Sequence, residues 1–319
     1  FLRLRGLPNK TYWMPWEDFL KRVYTVLFWQ PIRSNRQSRI TSPSRESPGE
    51  GLTRDRNNSL FNRSPMSIIY GPVSSWRLGR SLGIDLLNAR RKVCSFSCVY
   101  CQLGKTGRLT VAPREFISLE QLTGELKLLG PIEADYVTFS GTGEPTLASN
   151  LGEAINLARS ISGLPIAVLS NSSLMFRKDV RQQLAHADTV VAKLDVSNQE
   201  MLAVVNRPAP GLHFDQTRDG IRLFRDEYRG KLALQIMFIE ANKDYAREIA
   251  ALSRQISPDE VQINTPLRPC AVRPLPPESI AEIRREFTNL NNVVTVYEAP
   301  KSEVMPLNVA ETLRRRPER

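Results

Sequence analysis

From about Met66 onward, short apolar runs alternate with charged segments of helical periodicity. The runs at 83–87, 136–139, 166–169, 190–194, 232–238 and 261–263 have the length of buried strands. Between them, 119–128, 151–160, 176–187, 215–228, 245–255 and 277–287 carry the apolar spacing of a helix face. Strand followed by helix, repeated about six times, predicts an α/β chain whose parallel sheet has helices outside it. Right-handed crossovers would curl such a sheet into a doubly wound form or a barrel. In either, ligands sit at the carboxyl ends of the strands. The chemically unusual residues of this chain fall just after its strand runs.

The first 66 residues lack this alternation. Tyr12, Trp13, Trp16, Phe19, Leu20 and the run 23–29 are aromatic and apolar, suited to a short amphipathic helix and too short to cross a bilayer. Residues 31–66 are rich in Ser, Arg, Asn, Pro and Gly and read as a disordered linker. An Arg- and Ser-rich, acid-poor leader also resembles an organelle transit peptide, although the tryptophans and long polar tail equally fit unstructured sequence. The chain opens at Phe1 without an initiator Met, the mark of a fragment, a processed product or a misassigned start. The expected division is a poorly structured basic extension over 1–66, a domain over 67–300 and a C-terminal tail or short helix over 301–319.

Charge changes this picture little. Of the net +11, residues 1–66 hold +7, from 12 Arg/Lys against 5 Asp/Glu. The asymmetry belongs to the leader, so a nucleic-acid role for the domain is not indicated by charge alone. No run reaches the roughly 18 apolar residues of a membrane span.

Cysteine placement changes it most. Cys94, Cys98 and Cys101 lie within eight residues, KVCSFSCVYC, and Cys270 stands alone. That pattern does not suit a secreted disulfide scaffold; metal ligation in a reducing, cytoplasmic setting explains it better. Structural zinc takes four ligands, and the fourth here would have to be Cys270 or one of two distant histidines. Thiolates are natural ligands of iron-sulfur clusters, and three of them on a four-iron cubane leave one iron open for reaction.

Polar residues follow the later strand runs. Ser140-Gly141-Thr142-Gly143-Glu144-Pro145 comes after 136–139, with glycines that permit close backbone approach and a carboxylate beside them. Ser170 and Asn171 suit cofactor hydroxyls or a carboxylate, or equally an N-cap. Lys193 and Asp195 either bind an anionic substrate group or pair with each other, because a Lys in an apolar strand is costly to bury alone. Gln235, Asn264 and Thr265 each offer one polar contact at the sheet mouth. Asn206, Arg207 and Pro208 form a candidate anion loop, and Arg268 and Arg273 flank Cys270. Cys270 is a substrate-side hydrogen donor, a ligand to a second cluster shared with a partner, or an inert thiol. His186 and His213 lack paired metal spacing and read as structural.

The C-x3-C-x2-C loop, followed one βα unit later by GTGEP, resembles the signature of the radical S-adenosylmethionine superfamily. The resemblance implies a partial TIM-like (β/α)6 barrel and a [4Fe-4S] cluster on Cys94, Cys98 and Cys101. S-adenosylmethionine would chelate the open iron and be cleaved reductively to a 5′-deoxyadenosyl radical. It also implies that Tyr100 flanks the adenine, and that the loop Gly141, Thr142, Gly143, Glu144 binds the cofactor's amino group. Thr142 departs from the glycine common there. Ser170, Asn171, Gln235 and Asn264 are the further cofactor candidates, and Lys193, Asp195, Arg207 and Cys270 the catalytic or substrate ones. YGPVSSWRLGRSLGIDLL, CQLG and SGTGEPTL together resemble the stand-alone Fe-S oxidoreductases related to wyosine-tRNA synthetase, over about residues 69–300. The wyosine enzyme carries a second cluster on N-terminal cysteines, and residues 1–93 here contain none. The expected partners are a flavodoxin- or ferredoxin-like electron donor and a substrate that is an RNA, a peptide or a small metabolite. The alternatives are a wyosine-like tRNA enzyme and a non-enzymatic iron-sulfur or zinc module for electron transfer or binding.

Overall fold

The structure, a computed structural model, describes residues 66–299 and 302–318; the aromatic stretch and polar linker read over 1–65 lie outside the described residues. A hairpin comes first, with β1 (Ile69–Ser75) antiparallel to β2 (Gly79–Ile84) and a register shift between Tyr70 and Val73. Two short strands, β3 (Val93–Cys94) and β4 (Arg108–Leu109), pair with each other apart from the main sheet. The alternation then runs through α1 (Leu119–Lys127), β5 (Tyr136–Phe139), α2 (Leu151–Ser162) and β6 (Ile166–Ser170). It continues with α3 (Lys178–Leu184), β7 (Thr189–Lys193), α4 (Phe214–Glu227) and β8 (Lys231–Met237). After these come α5 (Ala246–Ile256), β9 (Glu260–Asn264), α6 (Pro277–Glu286), β10 (Val293–Thr295) and α7 (Val309–Arg315).

The main sheet has the order β1-β2-β5-β6-β7-β8-β9-β10 and is parallel from β2 onward. It is a curled, open half-barrel, so the partial-barrel expectation holds, with one correction: the sheet is mixed, because β1 runs antiparallel at its edge. The first strand also ends earlier than the apolar run 83–87 suggests. The Asp85 carboxylate accepts from Leu87 N and Asn88 N at 3.3 and 3.0 Å, turning the chain, while Leu86 and Leu87 bury themselves from that turn.

Alternation along the strands separates two faces. Val137, Phe139, Val168, Val190, Leu232 and Leu234 are fully buried in the layer shared with the helices. Each such side chain contributes about 1.5–3 kcal/mol by leaving water, so the outer face carries the stability. The intervening residues are free to be polar: Ser81 and Thr138 share a hydrogen bond of 2.7 Å, and Lys193, Gln235 and Gln262 follow the same alternation. Local signals agree with this layering. Ser118 and Gln121 form a capping box at α1, with contacts of 3.3 and 3.2 Å. Thr312 of α7 accepts Gly71 N at 3.0 Å, fastening that helix to β1.

Candidate active site

β3 delivers Cys94 to the site, bridging to Gly143 on one side and pairing with β4 on the other. The loop that follows is strapped by residues 205–209. Ser97 N and Val99 N donate to the carbonyls of Asn206 and Val205 at 2.9 and 3.0 Å, and Ala209 N donates to Ser95 O at 2.8 Å. A π-helical turn, Leu202–Asn206, ends in Arg207 with φ 49°, which turns the chain back across the cysteines. The segment read from sequence as an anion loop is therefore also the brace of the cysteine loop.

Cys94 is buried, whereas Cys98, Cys101 and Cys270 are half-buried. Those three open onto one cavity of about 1050 Å³, whose wall also includes Arg207, Glu240 and Arg273. Two sulfurs receive amide donors: Asn171 Nδ2 lies 3.4 Å from Cys94 Sγ, and Asn206 Nδ2 lies 3.4 Å from Cys98 Sγ. Burial pushes the Cys94 thiol up to about 12, against the pull of the nearby Lys92 ammonium. Burial likewise raises Cys98, with Lys193 and Lys92 opposing it. Burial works to discharge Lys92, yet the sulfurs of Cys94, Cys101 and Cys98 together hold its ammonium above the usual range. Such thiols become ligands only where a metal displaces their protons. Among the described residues, no group of three or more His, Cys, Asp or Glu is placed to hold a single metal ion.

The glycine loop locks onto the cysteine strand. Val93 N donates to Thr142 O, and Glu144 N donates to Val93 O, both at 3.1 Å. A Cβ on Gly143 would run into the Val93 carbonyl, and Gly141, at φ 149°, has Asp85 where a side chain would go. Thr142 has its own use: Oγ1 donates to Asp85 at 3.2 Å and accepts Ala89 N at 3.0 Å, bonds a glycine could not make. Glu144 is buried, and its carboxylate accepts Thr146 N and Oγ1 at 3.2 and 2.8 Å, Ser170 Oγ at 2.8 Å and Asn171 N at 2.7 Å. Burial raises its pKa and those four donors hold it back.

Residues 92–253, from the residue before β3 into α5, match the Radical SAM superfamily. The chain belongs to that superfamily. It is 41% identical over 202 residues to the UPF0026 protein slr1464 of Synechocystis sp., covering 63% of this chain and 76% of the relative. Among solved structures, native anSMEcpe with bound AdoMet is similar at TM-score 0.52 and 18% identity, covering 68% of this chain and 64% of that one. Streptococcus suis SuiB bound to precursor peptide SuiA is similar at TM-score 0.50 and 14% identity, covering 67% of this chain. The chain spans about half of SuiB, 48% of its length. At these identities the two structures speak for the fold alone.

The superfamily segment also contains a buried polar hub. Tyr100 OH donates to Asp195 Oδ2, and Asn206 Nδ2 donates to the same oxygen at 2.9 Å. Asp195 Oδ1 accepts Met237 N at 2.8 Å, and Lys193 Nζ stands 3.8 Å from the carboxylate and 4.3 Å from the centre of the Tyr100 ring. Burial first, and Asp195 second, raise the Tyr100 phenol well above its ordinary range, so it stays a donor. Of the two sequence readings of Lys193, this geometry contains the pairing with Asp195.

The remaining candidates separate. Ser170 and Asn171 meet at Glu144, and Asn171 also donates to Ser95 Oγ at 2.9 Å. Gln235 sits beside Lys193 in register, while Asn264 accepts Thr265 N at 2.9 Å and Thr265 Oγ1 accepts Leu275 N at 2.8 Å. Cys270 Sγ donates to Val272 O at 3.1 Å. His213 precedes α4 and His186 follows α3, and neither lines the cavity onto which Cys98, Cys101 and Cys270 open. Sequence reading missed Lys92, whose only local signal is its place between Arg91 and Val93 at the start of the cysteine motif, and it missed the roles of Asn171 and Asn206 toward sulfur.

Proposed function

We propose that this chain is a radical S-adenosylmethionine enzyme whose [4Fe-4S] cluster is held by Cys94, Cys98 and Cys101. The observation that carries the reading is the strapped cysteine loop at the sheet mouth, with Asn171, Asn206 and Lys92 each addressed to its sulfurs. A cubane takes one thiolate on each of three irons, and the loop supplies three free thiols for it. When bound, the reduced cluster and S-adenosylmethionine supply a 5′-deoxyadenosyl radical that abstracts hydrogen from substrate.

The chain's own residues position and shield that chemistry. Glu144 ties the glycine loop to the end of β6, leaving Gly141–Gly143 backbone as the part that would meet the cofactor's amino group. Asp195 fixes Tyr100 and Asn206 beside Cys98. The cavity wall contains Val99, Val204, Ile239, Val272 and Leu275, an apolar lining suited to keeping water from a radical. Arg207 and Cys270 face the same space and are the substrate-side candidates.

Within the superfamily we place the chain on the stand-alone branch related to wyosine-tRNA synthetase, on the motifs flanking its cysteines. The proposal extends to that family's cofactor chemistry and not to the tRNA reaction, with an RNA, a peptide or a small metabolite as substrate. The electron would come from a flavodoxin- or ferredoxin-like carrier in a reducing, cytoplasmic setting. The test is anaerobic reconstitution with iron and sulfide, reduction with S-adenosylmethionine, and assay for 5′-deoxyadenosine, with Cys98→Ala as control. Cluster-dependent product is expected. A properly loaded cluster that neither binds the cofactor nor yields 5′-deoxyadenosine moves the electron-carrier reading to the front.

A further inference from the structure

Three arginines, Arg77, Arg268 and Arg316, lie near enough to act on one another electrostatically. Arg77 comes from the turn between β1 and β2, Arg268 from the loop after β9, and Arg316 from the end of α7, which packs on β1. The β1–β2 turn lies at the amino end of the parallel strands, whereas Arg268 follows β9 and Arg316 bonds Ser140 at their carboxyl ends, so the side chains approach from opposite ends of the sheet. All three lie outside residues 92–253, the part shared with the superfamily.

Among the described residues, none of the three forms an ion pair with a carboxylate. Arg268 Nη1 donates to Gln102 Oε1 at 3.3 Å, and Arg316 Nη2 donates to Ser140 Oγ at 3.1 Å. The Arg77 guanidinium lies over the Trp76 ring at 5.1 Å. The Nε atoms of Arg77 and Arg316 are sealed from solvent and have no hydrogen-bond partner. Burial, then Arg316 and Arg268, push Arg77 down to about 9; burial and Arg316 push Arg268 down to about 10. At neutral pH Arg77 and Arg268 still carry their charge. The opposing groups are few: Glu260 acts on Arg77 but is paired with Lys231 at 2.7 Å, and Glu318 acts weakly on Arg268. Tyr70, bonded to Ser140 at 2.7 Å, completes the surroundings.

Like charges held near one another in half-buried side chains, two of them with a sealed and idle donor, are unfavourable unless something negative joins them. A guanidinium presents donors in a planar fork that matches the oxygens of a carboxylate or phosphate. We propose that Arg77, Arg268 and Arg316 form an oxyanion site that takes a carboxylate or phosphate group between them. Its neighbours place it next to the chemistry. Gln102, bonded to Arg268, follows Cys101, and Ser140, bonded to Arg316, precedes Gly141. The natural occupant is the anionic end of the substrate, an assignment that rests on the proposed function; the binding itself does not.

The test uses the full chain without iron, so its failure leaves the cluster chemistry untouched. Calorimetry and thermal unfolding are run with inorganic phosphate and, separately, acetate, against chloride at matched ionic strength. Both anions binding indicates a carboxylate-sized oxyanion site, and phosphate alone indicates a phosphate-bearing ligand. Arg77→Met, Arg268→Met and Arg316→Met are each expected to weaken binding by about tenfold, equivalent to about 1.4 kcal/mol. Each variant should also unfold no lower than wild type in chloride, since repulsion is relieved. Arg285→Met, an exposed arginine on α6, should leave binding unchanged. A wild-type chain indifferent to both anions overturns the proposal, as does an equal response in all four variants. If Arg316→Met fails to fold, Arg268→Met, on a loop, decides the matter alone.

Discussion

Arg315 and Arg316 are neighbours at the end of α7, and their guanidinium groups meet opposite surroundings. Arg315 is fully buried with every donor engaged: Nε on Asp85 Oδ2 at 2.9 Å, Nη1 on Glu311 Oε2 at 2.6 Å, Nη2 on Ser67 O at 2.6 Å and Asn88 Oδ1 at 3.0 Å. Arg316 has one hydroxyl partner, an idle Nε, and two other arginines nearby. Arg315 is buried and Arg316 half-buried with its Nε sealed from solvent, so burial alone does not distinguish structure from function here. Satisfaction does: the first cation closes a network, and the second leaves one open.

The strongest way to break this contrast is to remove the pair. Asp85 accepts from Arg315, from Thr142 N at 3.1 Å and from the turn at Asn88, so it joins α7 to the glycine loop. Asp85→Ala leaves the buried Arg315 Nε and Thr142 N without their acceptor, with Glu311 the one carboxylate still on Arg315, and should destabilise the fold by about 3–5 kcal/mol. Arg315→Met should do the same from the other side. Denaturant unfolding checks both against Arg316→Met, for which no loss is expected. Equal losses in Arg315→Met and Arg316→Met would erase the distinction.

This contrast marks where sequence stops informing. Periodicity is local, so the βα alternation and the cysteine spacing were legible, as were the polar residues after each strand. Asp85 and Arg315 stand 230 positions apart, and nothing in either neighbourhood announces the other. β1 was illegible for a different reason: Gly71 and Pro72 interrupt its pattern and the register shifts there. Thr142 looked like a departure from a glycine motif, and only its contacts with Asp85 and Ala89 explain it. Asn206 looked suited to an anion, because its sulfur partner lies 108 residues away.

A second comparison is sharpened at Glu144. Its buried carboxylate resembles Asp85 in having all its oxygens occupied, but its partners are neutral donors and not a cation. In Glu144→Gln, one carboxylate oxygen becomes an amide that cannot accept from Ser170, Thr146 or Asn171. A loss of about 1–3 kcal/mol is expected, smaller than at Asp85 because no cation loses its acceptor. Unfolding measured beside Asp85→Ala checks the order. A Glu144 variant as damaging as Asp85→Ala would mean that neutral networks and ion pairs carry equal weight in this fold.

The smallest effect separates the two asparagines from ordinary structural amides. Asn206 Nδ2 serves Asp195, Tyr100 OH and Cys98 Sγ, at 2.9, 3.1 and 3.4 Å. A donor to sulfur stabilises the more negative, reduced cluster, so it raises the reduction potential. A neutral hydrogen bond contributes about 0.5–1.5 kcal/mol. For a one-electron couple, where 59 mV is tenfold in the equilibrium, that amounts to about 20–60 mV. Asn206→Leu should therefore lower the midpoint of the reconstituted cluster by that amount, read by a spectroscopic redox titration. Asn171→Leu should act in the same direction through Cys94. A loss of folding stability with an unmoved midpoint would make Asn206 a brace of the hub alone, and its contact with Cys98 incidental.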